Sequence, residues 1–169
     1  MAQRIMGIPL SIIGQGVAQV YFGEVSFMNR EKGDIKGIKN YFLRNVKALL
    51  VVGILITIIA ALLSSVLVFF VIGKKWLMSI YIILILIPMY ITRFVFSPLS
   101  QTFYIYNKQE YQLFWNIFRI FTVILVFLIL KGSFLKSLIV YSVSMALIYL
   151  ILGYLIYLQL NRTYERQKN

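Results

Sequence analysis

The sequence predicts an all-α fold, an integral membrane bundle of about five transmembrane helices. Three observations predict it. Hydrophobic residues make up 61% of the 169-residue chain and charged residues only 13%, more apolar surface than a soluble domain of this size buries. The apolar residues come in charge-bounded runs close to the roughly 20 residues that an α-helix needs to cross a bilayer core. The basic residues fill the gaps between runs and fall unevenly on alternate sides, as they do in the loops of a multi-pass protein.

The first predicted span covers 3–22 and has Arg4 as its only charge. No small-x-small cleavage pattern follows it, so it is expected to stay in the mature protein rather than leave as a signal peptide. The second, 48–72, contains no charge and ends at Gly73-Lys74-Lys75-Trp76. The third, 77–96, contains Pro88 and Arg93, with Pro98 just beyond, and its prolines are expected to kink it. The fourth, 111–130, contains Arg119, and the fifth, 137–160, runs into a polar tail at 161–169. No soluble linker divides these runs, so residues 1–160 are expected to form a single bundle.

Orientation follows from Lys and Arg, which collect in cytoplasmic loops. One side holds Arg30, Lys32, Lys36, Lys39, Arg44 and Lys47 in the first loop, Lys108 in the third, and Arg162, Arg166 and Lys168 in the tail. The other side holds half as many: Arg4, Lys74, Lys75, Lys131 and Lys136. The tail is therefore expected in the cytoplasm and the N-terminus outside. An outside N-terminus with almost no residues before the first span is what an odd number of missing upstream helices would leave, so a fragment of a larger transporter is one expectation. Within the first loop, Ile35, Ile38, Phe42 and Val46 recur at helical spacing with Lys36, Lys39, Arg44 and Lys47 on other faces. That pattern predicts an amphipathic helix lying in the membrane interface, its cations fixing topology or meeting lipid headgroups. Asn161-Arg162-Thr163 has the form of an N-glycosylation acceptor, which a cytoplasmic tail makes coincidental.

The polar residues inside spans narrow the chemistry. At 100° per residue, Arg4, Gly7, Ser11, Gly14, Gln15, Ala18 and Gln19 share one side of the first helix. Such a stripe is either a close-packed helix seam or the wall of a polar cavity. Arg93 and Arg119 are costlier. A central Arg costs roughly 2.5–3.5 kcal/mol on insertion scales, and each Leu or Ile returns only about 0.3–0.6. Arg93 shares a face with Ser97, Ser100 and Tyr104 if the helix stays regular, and Arg119 shares one with Lys108, Gln112, Trp115 and Thr122. Both are expected to face protein or water. Glu24, Glu31, Asp34, Glu110 and Glu165 all lie in loops or at predicted helix ends, so neither Arg has an obvious intramembrane carboxylate partner in this chain, and the options are an anionic ligand, snorkelling to the interface, or a structural Arg bonded to carbonyls.

Other classes are excluded or disfavoured. The net charge of +12 could indicate nucleic acid, but the cations sit in short gaps between apolar runs with no folded platform to present them, so no nucleic-acid partner is expected and membrane lipid is the natural one. With no His and no Cys, disulfides, thiol chemistry and the commonest metal ligands are gone. No nucleophile–base pair, phosphate-cradling loop or metal-ligand spacing can be assembled, so neither an enzyme nor a cofactor is expected.

Four features resemble the C-terminal part of bacterial polysaccharide or O-antigen flippases (lipopolysaccharide biosynthesis proteins) of the multidrug/oligosaccharidyl-lipid/polysaccharide exporter superfamily. Ala2-Gln3-Arg4-Ile5, Ile8-Pro9-Leu10 and Ile13-Gly14-Gln15, continuing into Ala18-Gln19-Val20, resemble the family's eighth helix. Gly73-Lys74-Lys75-Trp76 resembles its Gly-x-x-Trp turn, and Ser97-Pro98-Leu99-Ser100 resembles the Ser-Pro-x-Ser motif near the end of the tenth helix. Lys108-Gln109, Gln112-Leu113 and Arg119 resemble the entry to the eleventh. The resemblance implies helices 8 to 12 of a twelve-helix transporter in the bacterial cytoplasmic (inner) membrane, with the remaining N-terminal helices or a partner membrane chain completing the cavity. It implies a lipid-linked oligosaccharide as cargo, an undecaprenyl-diphosphate glycan moved between leaflets, with Arg4, Arg93 and Arg119 as candidate cations and Gln15 and Gln19 beside them. The competing readings are a small stand-alone membrane subunit that binds or assembles a glycan or lipid biosynthesis complex, and, less favoured, a membrane enzyme.

Overall fold

The computed structural model describes residues 2–67, 77–130 and 132–168, without the side chains of residues 2–9, Lys32, residues 64–67, Leu77, Ser79 and Lys168. Among these residues the chain is all helical: α1 (Ala2–Phe27), a π-helical turn (Met28–Lys32), α2 (Ile35–Leu67), α3 (Leu77–Leu99), the one-turn α4 (Thr102–Ile105), α5 (Gln109–Ile129) and α6 (Phe134–Lys168). Four stretches are long and apolar enough to cross a membrane, Ile35–Leu63, Ile80–Ile105, Gln109–Ile129 and Phe134–Gln167, which marks the chain as a membrane protein. The span expected at 3–22 is part of α1, a helix of 26 residues that is not among those four. The Gly73–Trp76 turn lies outside the described residues, as does the side chain of Arg4.

The central helix is α3, which packs against α6, α1 and α2, whereas α5 leans on α6 and α4 alone among its substantial contacts. In lipid, burying a Leu against another helix gains little hydrophobic free energy, and the bundle is held instead by close van der Waals packing and interhelical hydrogen bonds. Small residues set the approach. A Cβ added at Gly153 of α6 would collide with the Phe96 ring of α3, so these helices meet at a distance only glycine permits. A Cβ added at Gly53 of α2 would stand 3.0 Å from the Phe94 ring, and one at Gly14 of α1 would make an ordinary contact with Pro98 Cγ at 3.8 Å. Along α6, Met145, Ile148, Tyr149, Leu152, Ile156 and Leu160 form a buried stripe against α3. The outward faces of α2 and α5 carry Leu55, Ile59, Leu62, Phe114, Ile117, Phe121 and Leu128, exposed as lipid contact requires.

One expectation about the loops is corrected. The stripe Ile35, Ile38 and Phe42 does not lie on the membrane surface as a separate interfacial helix. It forms the first turns of α2, continuous with the second span, and these side chains are buried in the protein core. The partner that the sequence pattern could not show is α6. Past residue 160, where the polar tail begins, α6 continues as helix to Lys168 and packs against α2. There Lys39 Nζ donates to Asn161 Oδ1 at 2.8 Å and stands 4.9 Å from the centre of the Tyr157 ring, while Gln167 Nε2 donates to the Gly33 carbonyl at 2.7 Å. Gly33 takes φ +54°, the left-handed conformation that closes the π-helical turn. Asp34 then caps α2 by accepting the Gly37 N–H at 2.8 Å.

Candidate functional site: a polar cleft between α1 and α3

The site is built by the stripe on α1 and by the break at the end of α3. Pro98 and the turn at Ser100–Gln101 interrupt the helix before α4. The chain rewinds there through Phe103 N–H to Ser100 O at 3.1 Å and Tyr104 N–H to Gln101 O at 3.1 Å. A regular helix would have aligned Ser100 with Arg93, but the turn carries Ser100 into the core. Its hydroxyl donates to Ser97 O at 2.8 Å and accepts from Gln112 Nε2 at 3.3 Å. Gln101 takes the vacated direction and faces α1. Tyr21 of α1 donates its phenol to Thr102 Oγ1 at 2.9 Å, since the Thr102 hydroxyl is itself donated to Leu99 O, and this buried bond fixes α4 against α1.

Between α1 and α3 lies a cleft of about 240 Å³ lined by Leu10, Ser11, Gly14, Gln15, Ala18, Tyr90, Arg93, Phe94, Ser97, Pro98 and Gln101. A second chamber of about 480 Å³ adjoins it, lined by Ala18, Gln19, Phe22, Gln101, Tyr104 and Gln109. Ala18 and Gln101 line both. Arg93 is the single charged residue on the described lining, and it is in the first chamber. Of the residues expected from sequence, Gln15 and Arg93 are brought together there and Gln19 lines the second chamber. Tyr90, Gln101 and Gln109 were not anticipated. Only the turn after Pro98 places Gln101, and the 100° projection of α3 does not survive that turn.

Arg119 is held elsewhere. Its guanidinium stacks on Trp115 at 5.1 Å and donates to the Tyr149 hydroxyl at 3.2 Å, and the Trp115 ring meets Tyr149 edge-on at 5.2 Å. Trp115 Nε1–H in turn donates to Ile148 O at 3.3 Å. Of the expected polar face of α5, Trp115 and Arg119 thus pack on α6, while Gln112 bonds Ser100 in the turn after α3 and Thr122 donates to Phe118 O of its own helix. Tyr141 of α6 is within electrostatic reach of both Arg93 and Arg119. At the α4–α5 turn the Tyr106 hydroxyl is buried without a hydrogen-bond partner among the described residues, and desolvation pushes its pKa up. No group of three or more His, Cys, Asp or Glu that could hold a metal occurs among the described residues.

No protein-family model matches the chain, and no curated protein or solved structure shows significant similarity to it.

Proposed function

We propose that this chain is one helical bundle of a transporter that flips an undecaprenyl-diphosphate-linked oligosaccharide across the bacterial cytoplasmic membrane for surface polysaccharide synthesis, with its C-terminus in the cytoplasm. The observation that carries the reading is the groove: Gln15 of α1 and Arg93, Ser97 and Pro98 of α3 line one chamber. These residues include parts of the helix and Ser-Pro-x-Ser segments that resemble polysaccharide flippases. A guanidinium exposed in a polar groove of a membrane bundle is tolerable only beside water, protein or an anion. A lipid diphosphate is an anion that arrives with its own hydrocarbon anchor, which suits a groove at bilayer depth. Lipid chains cannot satisfy the glutamines, so the groove's open side is completed by a second helical body, supplied by further helices or a partner chain.

Two measurements test the reading. In proteoliposomes, the purified chain binds a fluorescent polyprenyl-diphosphate oligosaccharide but does not flip it, and Arg93→Gln weakens the binding. Deletion of the gene in the organism of origin leaves lipid-linked oligosaccharide accumulating on the cytoplasmic leaflet and removes surface polysaccharide. Flipping by the chain alone would overturn the need for a second bundle. Absence of binding, with surface polysaccharide intact after deletion, would favour a stand-alone assembly subunit.

A further inference from the structure

The helix ends on the Lys39 side of the bundle differ in the sign of their charge. α1 and the π-helical turn carry Glu24, Arg30 and Glu31, α5 follows Lys108 with Glu110, and α6 finishes through Arg162, Glu165 and Arg166. In α2, by contrast, every charge is positive: Lys36, Lys39, Arg44 and Lys47. The fold sorts these cations. Lys39 turns to α6, where Asn161 and Tyr157 hold it. Lys36, Arg44 and Lys47 are exposed and, at 100° per residue, lie within about 80° of one another, opposite the buried Ile38, Phe42 and Leu49. Val51, Ile54, Ile58 and Leu62 continue the same face along the helix, all exposed, so the cations stand in line with side chains that a bilayer covers with acyl chains.

Lys47 is the last charge before the uncharged run 48–72 and marks the level at which the apolar strip gives way to headgroups. Arg44 is its neighbour at i, i+3 spacing, whereas Lys36 stands about 16 Å further out along the helix. Arg44 is also held in place. Its guanidinium lies 5.4 Å from the centre of the Tyr41 ring, and Tyr41 stacks at 5.8 Å on Tyr21, which is buried and bonded to α4. Stacking occupies the flat face of the guanidinium and leaves its edge N–H groups for phosphate oxygens. Fixing topology asks only for cations in the loop. It does not ask that they line up with the lipid-facing strip while Lys39 is drawn into the protein.

We propose that this strip of α2 is a binding site for an anionic phospholipid of the phosphatidylglycerol type, with Arg44 and Lys47 on the phosphate and the acyl chains along Val51, Ile54, Ile58 and Leu62. A zwitterionic lipid brings its own cation to its phosphate, so two protein cations gain less from it than from a headgroup of net negative charge. The site shares no residue with the α1–α3 groove and does not depend on what that groove carries.

The test uses the full chain in detergent, titrated with phosphatidylglycerol or with phosphatidylcholine of the same chain length, the bound lipid being counted by native mass spectrometry. Wild type is expected to bind phosphatidylglycerol about tenfold more tightly. In Arg44→Gln/Lys47→Gln the ratio falls to near one, whereas Lys36→Gln and Arg93→Gln keep it. If the double variant does not purify as a single species, Lys47→Gln serves, with the ratio reduced to about threefold. Glycerol phosphate is expected not to displace the lipid; displacement at equal potency would mean a free-anion site and would overturn the lipid assignment. A wild-type ratio of one would leave the strip as a topology signal or a face for an acidic protein, and a tenfold ratio that survives the double variant would put the headgroup elsewhere. Either result overturns the site, as does loss of the ratio in Lys36→Gln or Arg93→Gln.

Discussion

The two seams of α3 differ in how they treat polar groups, and the difference shows which polar side chains the fold itself satisfies. Against α6 the seam is dry and tight: Gly153 admits Phe96, and Leu152 and Ile156 are fully buried. Against α1 the seam is open: Gln15, Ser97, Gln101 and Arg93 line a cleft beside Gly14 and Pro98. The two intramembrane arginines divide likewise. Arg119, at the edge of the dry side, is satisfied by Trp115 and Tyr149; Arg93 is exposed in the groove. A guanidinium already stacked and hydrogen-bonded does the work of a helix clamp, while one presented to a cavity can receive a ligand.

The sharpest way to break the contrast is to overfill the dry seam. Gly153→Leu is expected to cost about 1–3 kcal/mol or prevent folding, since the added side chain would collide with the Phe96 ring, whereas Gly16→Ala, which meets nothing within 4 Å, is silent or slightly stabilising. Thermal unfolding in detergent reads both. Next in size is the exchange of the two arginines' roles. Arg119→Gln loses the ring stacking and the bond to Tyr149 and should lower stability by about 1–2 kcal/mol, with little effect on anion affinity. Arg93→Gln should lower affinity for a polyprenyl diphosphate by about tenfold with stability close to wild type. Tyr21→Phe removes the buried bond that seats α4 on α1 and is expected to cost about 0.5–1.5 kcal/mol in the same unfolding assay. Smallest is Tyr106→Phe, which deletes a hydroxyl with no partner among the described residues and should fall within about 0.5 kcal/mol of wild type at neutral pH. Burial raises this phenol's pKa, so the stability tied to its neutral form holds below about pH 10 and is lost as pH climbs through the higher folded value. In Tyr106→Phe that alkaline loss is reduced.

What could be read from the residues followed from periodicity. The α1 stripe ending in Gln15 and Gln19 was visible because a straight helix keeps 100° per residue, and Arg93 and Arg119 stood out by cost alone. Three things could not be read. The turn at Ser100–Gln101 resets the helical phase, exchanging Ser100 for Gln101 in the groove. Arg119's destination depended on which helix lies beside α5, and nothing in one chain's pattern names Tyr149, 30 residues away, as its partner. The stripe Ile35, Ile38 and Phe42 was legible as an apolar face, but a lipid surface and the extended end of α6 demand the same residues of it. The polar composition of residues after 160 concealed that α6 continues as helix to Lys168 and packs against α2.

Because the chain contains no cysteine, a single introduced thiol reports on its own surroundings. The decisive measurement is the labelling rate of Gln15→Cys, Ser97→Cys and Gln101→Cys by a charged, membrane-impermeant thiol reagent, compared with Met145→Cys and Leu152→Cys in the α3–α6 seam and Ile12→Cys, exposed on α1. A water-filled groove predicts fast labelling at the first three positions, slowed by a bound polyprenyl diphosphate, and almost none at the others. Equal, slow labelling at Gln15, Ser97 and Ile12 would mean that the groove is filled by lipid or protein and that Arg93 faces no aqueous path.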